Sequence, residues 1–144
     1  SRCMDNLKIL SLELMIMPKQ FGVKFGNPKQ YPYLSVCTTS THDCETLRMW
    51  LAADKGNGST DASAQECKDI IKQNLESSSM FVILPLQDWL SIDENIRAKN
   101  AALERINIPS DPFHYWKYRM HINLEELCGA EKFNWKIKEL VLQR

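Results

Sequence analysis

An imidazole and a carboxylate stand side by side at His42-Asp43, directly after Thr38, Thr39, Ser40 and Thr41. Such a cluster can donate and accept several hydrogen bonds at one point of the chain. A second polar pair, Gln87-Asp88, follows Pro85-Leu86. Further on, Asn107 lies just before Pro109, and the aromatics Tyr115, Trp116 and Tyr118 follow. Cys37 and Cys44 flank His42, and a thiol beside an imidazole can form a nucleophile and base. Cys37 falls inside an apolar strand pattern with no oxyanion-hole signal beside it, so packing is the preferred reading. The bland alternatives are an N-cap for Asp43 and a turn residue for Asp88. No ligand pairs carry zinc-finger or zincin spacing, and neither a metal nor a cofactor is expected.

The elements that must hold these groups follow from periodicity. Leu7 to Met17 alternates as a strand, with Leu12, Leu14 and Ile16 on one face and Pro18 at its end. Residues 19–32, with glycines and prolines, read as a loop. Tyr33 to Thr39 is a nearly continuous apolar run, hence a strand buried on both faces. Cys44 to Asp54 spaces Leu47, Trp50 and Leu51 as one helix face, capped by Asp43 or Thr41. After a polar connector at 55–63, a helix over 64–76 turns Cys67, Ile70, Ile71 and Leu75 inward. Phe81 to Leu86 is a third strand, and the span between strands is long enough for a parallel crossover. A helix is expected over 91–104 with Ile92, Ile96 and Leu103 as anchors, then a loop to Pro112. Helices over 123–128 and 131–142 close the chain, the last presenting Phe133, Ile137, Leu140 and Val141. Trp50 and Trp135 sit at core spacing, Trp116 amid Tyr115 and Tyr118 divides evenly between an aromatic platform and plain packing, and His114 and His121 read as surface or capping residues.

The order β, β-α-α, β-α, then helices is α/β with a parallel sheet. Reactive residues in such folds gather at the carboxyl ends of strands, where both polar pairs fall. Three strands covered on both faces would leave two bare edges, so the chain reads as a piece of a larger barrel or sheet.

Composition excludes several classes. The 144 residues fit one domain, and 44% are hydrophobic. Lysine plus arginine and aspartate plus glutamate both number 18, so no long-range pull toward nucleic acid or an anionic membrane is expected. No apolar run is long enough to span a bilayer, and Ser1 to Asp5 opens no signal peptide. The five cysteines include no C-x-x-C pair and suit a reducing compartment.

Three ordered motifs add a resemblance. Tyr33 to Asp43 with Thr46 to Trp50, then Leu84 to Asp88, then Arg105 to Pro109 with Tyr115 to Arg119, resemble the 4-alpha-glucanotransferases. This is the amylomaltase or disproportionating-enzyme family, glycoside hydrolase family 77. The resemblance covers about residues 7–128, and Phe25-Gly26, Tyr31 and His114 to Trp116 bring it closest to the plant cytosolic type acting on maltose. It implies that residues 1–144 are the C-terminal portion of a (β/α)8 TIM-type barrel, holding its last three strands, with no second domain. It implies retaining glucosyl transfer from maltose or an alpha-1,4-glucan to a glycogen-like acceptor, through a covalent glucosyl-enzyme. The nucleophile and acid/base carboxylates would lie upstream, and no residue here matches them. Asp43 matches the transition-state stabiliser. His42, Asn107 and Trp116 would contact substrate, while Gln87 and Asp88 would brace the barrel mouth. The subtype places the protein in the cytoplasm and leaves its oligomeric state open. The family pattern is departed from at Glu13, which stands in a strand, and over 52–66, which looks short. The rival readings are a non-catalytic glucan-binding or structural remnant and an unrelated α/β binding module.

Overall fold

The computed structural model describes residues 2–143. A short helix α1 (Arg2–Leu7) leads through Lys8, whose φ of 56° reverses the chain, into strand β1 (Ser11–Leu14). The expected strand from Leu7 is therefore shorter, because its first residue closes a helix. Leu14 is buried in the sheet, but Leu12 remains 49% exposed. Glu13 is also buried, where Lys19 and the Ser11 hydroxyl partner its carboxylate. A 3-10 turn (Pro28–Gln30) precedes β2 (Ser35–Thr38).

β1 and β2 pair in parallel, Ser11 opposite Ser35 and Leu14 opposite Thr38. β3 (Phe81–Val82) pairs parallel on the other side of β2. It is shorter than the expected 81–86 run, although Ile83 N still donates to Cys37 O at 3.0 Å. Pro85 has no amide proton to continue a ladder, and it opens an unforeseen helix α4 (Leu86–Leu90). The sheet order β1-β2-β3 confirms the α/β parallel organisation.

Helices α2 (Leu47–Asp54) and α3 (Ala64–Leu75) form the crossover between β2 and β3. α3 begins in a capping box: Ser63 Oγ accepts from Glu66 N, and Glu66 Oε2 accepts from Ser63 N. Lys55 adds a bond to the same carboxylate, and together these partners hold Glu66 down to about 2. The core joins Leu47 and Trp50 of α2, Cys67, Ile71 and Leu75 of α3, and Leu90 and Ile92 beyond β3. After the short helix α5 (Leu124–Gly129), the last helix α6 (Glu131–Leu142) adds Phe133 and Leu140 to it.

Three expectations fail here for local reasons. Residues 91–104 are not a helix: they form turns and a 3-10 helix at Ala101–Glu104. Asp93 Oδ1 accepts from Asn95 N and Asn100 Oδ1 from Ala102 N, local bonds that compete with helical ones. Leu103 is consequently 71% exposed rather than an anchor. Trp135 is not core either, at 60% exposed. Two residues past Phe133 lies the opposite side of a helix, and Lys138 Nζ rides 4.6 Å above the indole. Val141, expected on the apolar face, is also about half exposed.

Candidate functional site

At the carboxyl end of β2 the chain leaves the sheet through Thr39 and Ser40, both buried. Their hydroxyls donate to Asp88 Oδ2 at 2.5 and 2.6 Å. Asp88 Oδ1 accepts from the backbone N of Leu47 at 2.8 Å. The N-cap position of α2 is Thr46, whose side chain makes no capping bond. The cap carboxylate thus comes from Asp88 in α4 rather than from Asp43 or Thr41. Asp88 is fully buried; burial pushes its pKa up, against the three donors that favour the charged form. Gln87 is also buried and donates to Glu104 O at 3.5 Å.

Between these anchors the segment 41–46 carries His42 and Asp43, each about half exposed. His42 Nε2 lies 3.2 Å from Asp43 Oδ2. Asn107 Nδ2 donates to Asp43 Oδ1 at 2.7 Å, and Asn107 Oδ1 accepts from Trp116 Nε1 at 3.0 Å. The Trp116 indole returns to the His42 ring, with centroids 5.3 Å apart and planes 50° from parallel. His42, Asp43, Asn107 and Trp116 therefore close a ring of contacts drawn from three separate stretches of chain. Backbone bonds hold it, since Asn107 N donates to His42 O at 3.1 Å. An ionised carboxylate has about four acceptor positions, so Asp43 keeps room for further donors.

Two arginines that the spacing arguments passed over support this ring. Arg105 Nε donates to Asn107 O, and its Nη1 reaches Glu45 Oε1 at 2.8 Å. Arg48, only 1% exposed, grips Asp61 with two nitrogens and bonds Ala98 O and Glu104 Oε1. It ties α2 to the strap that leads into Asn107. Burial opposes ionisation of Asp61, but the Arg48 bond and charge outweigh it and hold the carboxyl below its usual range. The only sequence signal for these arginines was their place inside the ordered motifs. Of the other aromatics and histidines, His114 Nε2 lies 2.9 Å from Ile106 O, and His121 Nε2 lies 2.6 Å from Ile96 O. Cys37 bonds Asn74 inside the core, away from His42. Among the described residues no cluster of His, Cys, Asp and Glu could hold a metal ion.

The sequence profile of the 4-alpha-glucanotransferases matches residues 1–125. The chain belongs to the 4-alpha-glucanotransferase family. The chain is 37% identical to the 4-alpha-glucanotransferase DPE2 of Oryza sativa subsp. japonica over 152 aligned positions, covering 96% of the chain and 16% of that protein. It is 33% identical to the 4-alpha-glucanotransferase of Chlamydia pneumoniae, over 78% of the chain and 24% of the relative. An amylomaltase from Streptococcus agalactiae in complex with acarbose shares the fold, with a TM-score of 0.66 at 18% identity, over 96% of this chain and 28% of that one. The chain thus spans about a sixth to a quarter of the length of these relatives. No helix among the described residues is long and apolar enough to cross a membrane.

Proposed function

We propose that this chain supplies the transition-state-stabilising side of a retaining 4-alpha-glucanotransferase site, as the C-terminal portion of a (β/α)8 barrel. The observation that carries this reading is the ring of His42, Asp43, Asn107 and Trp116 at the end of a parallel strand. Retaining transfer proceeds through a flattened, cation-like sugar between a carboxylate nucleophile and a carboxyl acid/base. Those two groups belong to strands upstream of β1. Asp43 accepts hydrogen bonds from hydroxyls of the same ring, and these strengthen as positive charge develops. His42 donates to a neighbouring hydroxyl, Asn107 holds the carboxylate in place, and Trp116 offers its indole face to the pyranose. Gln87 and Asp88 fix the strand ends from which the site projects.

The donor is maltose or an alpha-1,4-glucan and the acceptor a glycogen-like glucan. The rice relative and the acarbose-bound amylomaltase support that substrate class. The site needs neither cofactor nor metal, nucleic acid nor membrane. The subtype resemblance and the free thiols support a cytoplasmic location.

The test joins this chain to the upstream portion of the rice relative and assays glucose transfer from maltose to glycogen. Asp43→Asn lowers turnover at least about a hundredfold, the scale of losing one preorganised transition-state contact. Unchanged turnover in that variant removes Asp43 from the role.

A second reading keeps the sugar but drops the chemistry, because the ring is assembled without any upstream residue. Maltodextrin binding by the 144-residue chain, abolished by Trp116→Ala, would favour a glucan-binding module.

A further inference from the structure

Beneath His42 lies a cavity of ≈ 90 Å³, walled by Thr46 of the α2 cap, Gln87 of α4 and Glu104 of the 3-10 helix. Two oxygens of these lining residues, Thr46 Oγ1 and Glu104 Oε2, are buried with no hydrogen-bond partner among the described residues. Glu104 is 1% exposed and Thr46 6%. The rest of Glu104 is fixed. Its Oε1 accepts from Arg48 Nη1 at 3.3 Å, and its backbone oxygen accepts from the Gln87 amide. A buried water needs about 10–15 Å³ of accessible space and two to four polar partners. The space is several times that needed, and the two unpartnered oxygens of the lining residues supply the smallest sufficient set of partners.

We propose that Glu104 is a positioning residue: with Thr46 and Gln87 it holds a cluster of ordered waters that sets the pose of His42 above them. The chain at 41–46 has no regular structure, and two local bonds shape it: Thr41 N donates to Cys44 Sγ, and Thr41 Oγ1 accepts from Asp43 N. The water cluster supplies the missing support from below, anchored through Glu104 to the buried Arg48. The consequence for sugar binding rests on the reading of His42 given above. The cluster itself does not, and it is read here without sugar.

The experiment uses the full 144-residue chain with nitrogen-15 in its histidines and backbone, at one fixed pH. Water–protein cross-relaxation is recorded for wild type, Thr46→Val and Glu104→Gln, together with the imidazole nitrogen shifts. The expected wild-type spectrum shows long-lived water cross-peaks to amides of 41–47. Thr46→Val exchanges the hydroxyl for a methyl of similar size, so it should abolish those cross-peaks and shift the His42 nitrogens while the amide spectrum elsewhere is kept. Glu104→Gln should shift the same nitrogens. If it fails to fold, Thr46→Val alone decides. Absence of long-lived water in the wild type, or His42 nitrogens unmoved by Thr46→Val, overturns the proposal. So does a melting temperature raised by sodium or potassium chloride but not by choline chloride, which would put a cation in the cavity instead. Failure of the glucanotransferase reading would leave all of these signals unchanged.

Discussion

Asp88 has no contact with solvent, yet three donors from two other elements converge on its carboxylate. Replacing it with alanine would leave the Thr39 and Ser40 hydroxyls and the Leu47 amide buried and unpaired. Asp88→Ala should lower unfolding free energy by about 3 kcal/mol, measurable by urea titration of the chain. A loss under about 1 kcal/mol would mean that other groups cap α2. Asp43, in contrast, is half exposed and carries no structural bond comparable to these, so Asp43→Asn should change stability by less than about 0.5 kcal/mol. Under the proposed function, a residue kept for chemistry and a residue kept for folding would separate by their burial. The sequence offered both as strand-end carboxylates, and it assigned the first by motif. It did not show that Asp88 caps a helix 41 positions earlier, because that contact exists only once α4 packs beside β2.

At the scale of elements, two pairs of carboxylates pull stability in opposite directions with pH. Burial raises Asp88 and Glu104, so their contribution is fully present below the unfolded values near 4 and is lost as pH rises through the higher folded values. Asp61 and Asp93 are held low. Burial opposes this at both, but the bond from Arg48 at the first and from Lys136 at the second prevails. Their contribution is present above the unfolded value and is lost as pH falls through the lower folded values. Melting temperature against pH should therefore peak in mild acid. Glu104→Gln should flatten the descent toward neutral pH and leave the acid limb intact. A descent of the same slope in that variant would show that Glu104 is not responsible. Helices α3 and α6 were legible in advance, since each carries its own apolar stripe and α3 its own capping box. The 91–104 segment was not, because apolar spacing at Ile92, Ile96 and Leu103 mimicked a helix that Asp93 and Asn100 prevent. Trp135 misled in the same way, its size suggesting core at a position that faces outward.

The whole molecule shows a sheet covered unevenly. Leu12, Phe81 and Ile83 are each about half exposed or more, and a groove of ≈ 320 Å³ runs over the sheet past Leu12, Val36 and Ile83. The outer edges of β1 and β3 have no neighbouring strand among the described residues. Both features fit a surface that the upstream portion of a barrel would cover. The isolated chain should bind an apolar fluorescent dye, and fusion to the upstream portion of the rice relative should remove most of that signal. Equal dye binding in both would mean that the sheet is not covered by that portion.

The carboxylate that caps α2 from α4 also fixes an order of events in time. Leu47 and Asp88 are 41 positions apart, so the first turn of α2 cannot be satisfied until a loop of that length has closed. α2 should then frays-and-reforms only as part of one cooperative unit with β2 and α4, never as an independent helix. Its first amide becomes a reporter of that unit: the Leu47 proton should exchange with deuterium at the rate of global opening, although it sits at the end of a helix where exchange is ordinarily fast.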